Sequence, residues 1–442
     1  MAQRKELLKA HAFTQQRLVA ALVDRDPDNP TPPLRRLGLG TFVSILLAAV
    51  LVGGFALYGY LAKPSTNAWS QNKPVVIVDT DSGVVFFTLD GTTIYPATNM
   101  ASARLITGGD TIVKATTASL ASAPRGQRYG IPGAPAQLPD RSTMTAFPIR
   151  VCSLPTAVRS SRSTVLDFAA PAATSDTAIG LEVDDHTYLV VNGVAHLIPD
   201  GSPLLGTATA LKGTEAFLRS LPQGQAIKEF SDPSKGNNPR RGQNLVGTIV
   251  YTGDQNDKSS WNYFIQLIDG YSAISYLDAM VNTQTPTAVE AGFVASNRSE
   301  TQNSATPGLP MGPVVFTPTD TTKTSVCATY AADSATPRIT IGDTVAGPTD
   351  PKAAPAVSAY DRVTTAPGGG ALLRSLGTEA DGATFLIWQG RKYGIPDLES
   401  RTSLGYASGV TIGTVQPSLL SLVPDGMEPG MALDRVHANR VA

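Results

Sequence analysis

The sequence predicts an α+β chain with an N-terminal amphipathic helix, one transmembrane helix, and an extracytoplasmic region of four β-hairpin/helix repeats around a β-rich core. Three observations predict it. Leu37 to Ala62 is a long stretch without a charge, a hairpin signal recurs four times beyond it, and the only two cysteines, Cys152 and Cys327, bracket the middle two hairpins.

The apolar stretch reads LGLGTFVSILLAAVLVGGFALYGYLA between Arg35-Arg36 and Lys63. As a helix its 26 residues span roughly 39 Å, enough for a hydrocarbon core of about 30 Å with some tilt. It does not read as a cleavable leader: the run is too long, 36 residues precede it, and no small-residue cleavage pattern follows. Arg17, Arg25, Arg35 and Arg36 precede the span, whereas Lys63 and Lys73 follow it. That bias expects the short end in the cytoplasm and some 380 residues outside, with Tyr58, Tyr60 and Trp69 as an interfacial aromatic belt. Ser44, Ala48, Ala49 and Gly53, at spacings near four, either admit a second helix or face lipid as chance small residues.

Residues 1–36 hold a helix pattern without proline or glycine over residues 3–23, stopped by Asp26-Pro27 and by the prolines that follow. Its apolar positions are Leu7, Leu8, Phe13, Leu18, Val19 and Leu22. A helix of this kind has no core of its own, so its stripe needs a partner protein or the membrane lipid surface, and the protein partner is the favoured expectation.

Length allows two or three domains. Net charge is -1, which leaves no electrostatic footprint for nucleic acid. Residues 1–36 carry seven Lys/Arg against four Asp/Glu, a balance suited to a cytoplasmic membrane surface. A lone cysteine pair on the exported side reads as one disulfide, the alternative being two buried thiols.

The hairpin signals centre on Asp90-Gly91, Asn192-Gly193, Asp269-Gly270 and Gln389-Gly390, each between β-rich segments. In three copies a proline then ends the return strand, and in the first and fourth a helical stretch is readable after it. The turn glycines are 102, 77 and 120 residues apart, which argues against a solenoid or a propeller. The expected divisions are 63–115, 184–215, 258–285 and 371–425 for the repeats. The core falls at 116–183, 216–257 and 286–345, a linker at 346–370 and a polar tail at 426–442.

A catalytic or metal site is hard to assemble. His186 and His196 flank the second hairpin with Asp184 and Asp185 nearby, but further ligands are missing. Ser70-Gln71-Asn72-Lys73 fits a serine-xx-lysine pattern without its companion motifs. Asp254-Gln255-Asn256-Asp257 begins like a calcium loop but lacks the required glycine and glutamate. Asn297-Arg298-Ser299 fits a glycosylation acceptor, and GxxxxGK[ST] does not occur. The exported part therefore reads as a scaffold, with no enzyme activity, cofactor or metal expected.

Several motifs occur together in order: Ala10-His11-Ala12-Phe13 and Arg17-Leu18-Val19-Ala20-Ala21-Leu22-Val23, then Pro33-Leu34-Arg35-Arg36 before the span. Asn99-Met100-Ala101-Ser102-Ala103-Arg104-Leu105, Gly130-Ile131-Pro132-Gly133-Ala134-Pro135, Cys152-Ser153, Cys327, Leu404-Gly405-Tyr406 and Leu419-Leu420-Ser421-Leu422-Val423-Pro424 follow. With these motifs the chain resembles the EccB family, a core membrane component of type VII (ESX) secretion systems, over nearly its whole length. The resemblance implies a structural subunit of the inner membrane, in complex with the EccC ATPase, EccD and EccE, that supports export of WXG100-type substrates. It also implies self-association, a neighbouring mycosin protease, and an elongated periplasmic region of four repeat domains around a disulfide-linked core. Energy supply in that family belongs to EccC.

Overall fold

A computed structural model describes residues 2–23, 25, 35–61, 68–156, 161–173, 175–206, 208–300, 305–316, 323–332, 334–345 and 359–442. The proline-rich stretch at 26–34 and residues 346–358 of the expected linker lie outside the described residues. The chain falls into two compact units, residues 1–68 and 69–442.

The first unit contains two helices, α1 (Ala2–Val23) and α2 (Arg35–Leu61). On α1 the side chains of Leu7, Leu8, Phe13, Leu18 and Leu22 are all exposed. At about 100° per residue, Leu7, Leu18, Leu22, Leu8 and Val19 fall within an arc of roughly 120°, and Phe13 lies outside it. Phe13 stands off that arc, with the Arg17 guanidinium 5.8 Å from its ring centre. Within α2, Leu39–Gly59 is long and apolar enough to cross a membrane, with a mean hydropathy of 2.3 and no burial within the protein.

Among the described residues the second unit is built on five sheets. The first contains β1 (Val75–Asp79), β2 (Val85–Thr88), β3 (Tyr95–Pro96) and β4 (Ile112–Ala115), with α3 (Met100–Thr107) before β4 and α4 (Thr117–Leu120) after it. Its strand order is β3-β2-β1-β4, with β4 parallel to β1. Asn99 caps α3 by accepting from the Ser102 amide at 2.9 Å, and Gly108 closes the helix at φ 74°. Next come β5 (Ile149–Pro155) and β6 (Arg162–Asp167) of the central sheet.

The second sheet contains β7 (Ile179–Val183), β8 (His186–Val191), β9 (Val194–Leu197) and β10 (Leu211–Lys212), followed by α5 (Glu215–Ser220). The third contains β11 (Ile249–Thr252), β12 (Asn262–Leu267), β13 (Gly270–Ile274) and β14 (Thr287–Ala288), with α6 (Tyr276–Val281) before β14 and α7 (Ala291–Ser296) after it. The central sheet then gains β15 (Val326–Tyr330), β16 (Arg338–Ile341) and β17 (Arg362–Thr364). The fourth contains β18 (Ala371–Ser375), β19 (Thr384–Trp388), β20 (Arg391–Ile395) and β21 (Ile412–Val415), with α8 (Leu398–Ser403) before β21 and α9 (Pro417–Ser421) after it. Last is α10 (Arg435–Ala438).

All four four-stranded sheets share one order: a three-strand antiparallel meander whose first strand is joined on its free side by a parallel fourth strand. Each therefore has a strand ahead of the hairpin read from the sequence. Asn192-Gly193 and Gln389-Gly390 form the two-residue turns expected, with all four residues at positive φ. Asp90-Gly91 instead sits inside a longer loop between Phe87 and Tyr95, where the Asp90 carboxylate accepts from the Thr92 and Thr93 amides. In the third sheet the turn is Ile268-Asp269 and Gly270 is already in β13, where a Cβ would come 2.3 Å from the Asn297 carbonyl oxygen.

The central sheet has the order β16-β15-β5-β6-β17. Its three inner strands, β15, β5 and β6, are buried almost throughout, as strands covered on both faces must be. The first and fourth sheets share one core, in which Val76, Phe87 and Leu105 join Leu372, Leu386 and Leu404. The second and third share another, in which Leu189, Val191 and Leu204 meet Leu277 and Val281.

Candidate functional surfaces

Along α2 a shallow groove is lined by Leu39, Gly40, Val43, Ser44, Leu47, Ala48 and Leu51. Gly40, Ser44 and Ala48 follow one another at four-residue intervals and form its low floor, the geometry that admits a second helix closely. The Ser44 hydroxyl donates to the Gly40 carbonyl at 2.5 Å, so it is satisfied within the helix. Of the sequence-expected packing residues, Ser44 and Ala48 line the groove, whereas Ala49 and Gly53 do not. Gly40 was the missing member, legible in the same spacing.

In the second unit Cys152 and Cys327 face each other on β5 and β15 and form the disulfide, their Cα atoms 4.1 Å apart. Both are completely buried, so the bond cross-links the sheet and is shielded from exchange. The same sheet carries a buried ion pair, Arg150 to Asp167 at 3.2 Å. Arg162 bridges Ser153 on β5 to the Thr324 carbonyl, and burial pushes its guanidinium down to about 10.

The first and fourth sheets are tied by polar contacts around their shared core. Arg104 of α3 donates to the Leu404 carbonyl at 2.7 Å, and the Tyr406 hydroxyl donates to the Pro139 carbonyl at 2.8 Å. Burial pushes Arg104 down and Tyr406 up from their ordinary values.

The other sequence candidates resolve into local structure. Asp184 and Asp185 are the two-residue turn of the β7–β8 hairpin, both at positive φ, with His186 exposed beside them. His196 is fully buried on β9, and its Nδ1 lies 2.8 Å from the Gln225 carbonyl. Among the described residues no group of three or more His, Cys, Asp or Glu side chains is placed to hold a metal. Asp254 and Asp257 turn their carboxylates onto the amides of Asn256 and Ser259, and Trp261 Nε1 donates to the Asp254 carbonyl at 2.7 Å. Hydrogen bonds from the Ser259 hydroxyl and then the Ser259 amide hold Asp257 below the usual carboxylate range. Ser70 to Lys73 run against Gly91, where a Cβ would come 2.5 Å from the Asn72 amide nitrogen.

A family model described as "Type VII secretion system ESX-1, transport TM domain B" matches residues 2–439, through both helices and all five sheets. The chain belongs to the EccB family. Among curated relatives it is 35% identical over 133 residues to the ESX-5 secretion system ATPase EccB5 of Mycobacterium tuberculosis, covering 30% of this chain and 25% of that one. It is 34% identical over 164 residues to the ESX-2 secretion system ATPase EccB2 of the same species, covering 36% and 31%. To EccB5 of Mycobacterium marinum it is 30% identical over 210 residues, covering 47% and 35%. The chain spans from a quarter to about a third of the length of these relatives.

Its fold matches a chain of an intact ESX-5 inner membrane complex with a TM-score of 0.61 at 22% identity, covering 99% of this chain and 95% of that one. The same TM-score relates it to an EccB3 dimer from the ESX-3 core complex at 22% identity, covering 83% and 99%. The relatives' names correct one expectation. They are called ATPases, which points to an ATPase and overturns the expectation of a non-enzyme. The GxxxxGK[ST] loop is a single design of phosphate-binding site, and the same chemistry is built on other folds in other ways.

Proposed function

We propose that this EccB chain is a subunit of an ESX inner-membrane complex, with α1 in the cytoplasm, α2 across the membrane and residues 69–442 in the periplasm. The observation that carries this is the family match from residue 2 to residue 439, which includes the membrane span. The excess of arginine before the span supports the orientation. The exposed leucines of α1 and the α2 groove support docking on other subunits and on a second copy, and mycosin protease and membrane lipid complete the partners. On this reading the chain also takes part in ATP hydrolysis, as the relatives' name has it.

The shared strand order of the four smaller sheets supports reading them as four copies of one repeat around the disulfide-bonded sheet. On this reading the copies pair by their cores, first with fourth and second with third. Removing the chain from its native host tests the function. Export of small WXG100-type substrates should stop, return with the full chain, and stay absent with a chain lacking α1. Export that continues undiminished without the chain contradicts the reading.

A further inference from the structure

Residues 426–442, expected as a polar tail, run from the fourth sheet onto the first. Gly426 lies under the Tyr393 ring, and its amide donates to the Lys392 carbonyl at 2.9 Å. The Leu433 amide then donates to the Gly394 carbonyl of β20 at 2.7 Å, which fixes the near end to the fourth sheet. Beyond this point α10 packs against α3. The Gly130 amide donates to the Arg440 carbonyl at 3.1 Å, and the Ala442 amide to the Arg128 carbonyl at 3.0 Å. Val441 pairs antiparallel with Tyr129, which itself pairs with Ala97 beside β3, so two successive bridges carry the segment to the β3 edge of the first sheet.

Leu433 and Ala438 are completely buried in the shared core and Met427 and Met431 pack against it half-buried, while Val436 and Val441 are 74% and 62% exposed. Helix α10 is four residues long and rests on one cap. Asp434 accepts from the His437 amide and lies 2.7 Å from its Nδ1. A single-turn helix held by its packing on α3 has little intrinsic stability of its own, and such elements belong to the low-stability end of a fold. By contrast, the polar ties Arg104 to Leu404 and Tyr406 to Pro139 sit on the longer sheet-and-helix contact.

We infer that residues 426–442 act as a latch: they hold the edge of the first sheet to the fourth, and their release is the easiest opening of the periplasmic region. Opening uncovers the Arg128–Gly130 edge and frees the first sheet, the one joined through the chain to the membrane span, from the strap though not from its core partner. This goes beyond the proposed function, and an ESX subunit without a latch would remain an ESX subunit.

Amide hydrogen exchange on the full chain, purified from membranes, tests it. In the unaltered protein the amides of Gly130 and Ala442 should exchange together, and faster than those of β1, β2, β18 and β19. Leu433→Asp should speed exchange over residues 126–134 by at least about tenfold, because burial of that side chain is what closes the latch. Exchange in β5, β6, β11 and β12 should not change. Directly opposed antiparallel residues have Cα atoms about 4.5–5.5 Å apart, within disulfide reach. Tyr129→Cys with Val441→Cys, oxidised in the Leu433→Asp background, should therefore restore the slow exchange. Gly130 exchanging as slowly as the central ladders, a uniform rise in every sheet, or a cross-link that fails to restore protection would each overturn the latch.

Discussion

Gly426 lies directly beneath the ring of Tyr393, where a Cβ would come 2.1 Å from the Tyr393 Cε1 atom. The same crossing occurs at Gly126 under Tyr95 and at Gly224 against His196, with Cβ distances of 2.2 and 2.3 Å. In each case the glycine ends a Pro-x-Gly segment whose backbone pairs in parallel with the return strand of the hairpin, at Arg125, Gln223 and Asp425. The third sheet makes the same backbone pairing at Arg298, but the positions are Ser272 and Ser299. A small residue above leaves room for a side chain below.

Replacing these glycines should therefore be costly and replacing the serine should not. Gly426→Ala forces the Tyr393 ring out of place and should destabilise by about 1–3 kcal/mol, the usual range for overpacking. Ser299→Gly meets no such clash and gives up only the hydroxyl's hydrogen bonds to the Asp269 carboxylate, so it should cost less than Gly426→Ala. Denaturant midpoints of the two variants measure the difference, and equal losses would refute the pairing of sizes.

The Cys152–Cys327 bond closes a separation of 175 residues, worth up to roughly 5 kcal/mol by the chain-entropy argument. Cys152→Ala with Cys327→Ala should lower the unfolding midpoint of the second unit substantially. The paired strands β5 and β15 should still form, since their ladder hydrogen bonds do not depend on sulfur. Circular dichroism before and after the change checks both statements.

Tyr330, Tyr360 and Tyr406 are buried, and burial pushes all three hydroxyls above their ordinary value near 10. Tyr360 is raised further by Tyr330. Folded, they keep their protons where unfolded tyrosine has lost them, so the folded state binds more protons above about pH 10. Their stabilisation is complete below that pH and falls as pH rises above it. The unfolding midpoint should be flat with respect to these groups at lower pH and should drop steeply above about pH 10. Tyr406→Phe, which gives up the hydrogen bond to Pro139, should make that drop shallower.

Leu18 and Leu22 of α1 are exposed on one side of the helix. If that side docks on a partner, Leu18→Asp with Leu22→Asp removes two buried leucines and should weaken co-purification roughly a hundredfold. Melting of residues 69–442 should be unaffected. Undiminished co-purification would place the docking surface elsewhere.

Legibility in the sequence varied with the range of the interaction. The long apolar run was plain: it was expected at Leu37–Ala62, and Leu39–Gly59 within the helix Arg35–Leu61 is long and apolar enough to cross a membrane. Asn192-Gly193 and Gln389-Gly390 were legible because only a few dipeptides accept two positive φ values in succession. Asp184-Asp185 makes a similar turn without a glycine, a combination too uncommon to read. The parallel strands β10 and β14 are two residues long and carry no period. Pairing of β5 with β15 joins residues far apart in sequence, and the cysteine pair was its only local sign. Pro124-Arg125-Gly126, Pro222-Gln223-Gly224 and Pro424-Asp425-Gly426 are a sequence signal shared by three of the four-stranded sheets that turn chemistry around the hairpins does not include.

Membership of an ESX membrane complex is the central claim, and the size of the native particle tests it most directly. The full chain, tagged and extracted from native membranes in mild detergent, should run on a blue native gel far above its 46.2 kDa. It should carry with it a multi-span membrane protein and an EccC-type ATPase. A lone monomer or dimer, under conditions that preserve other membrane complexes, would contradict the account.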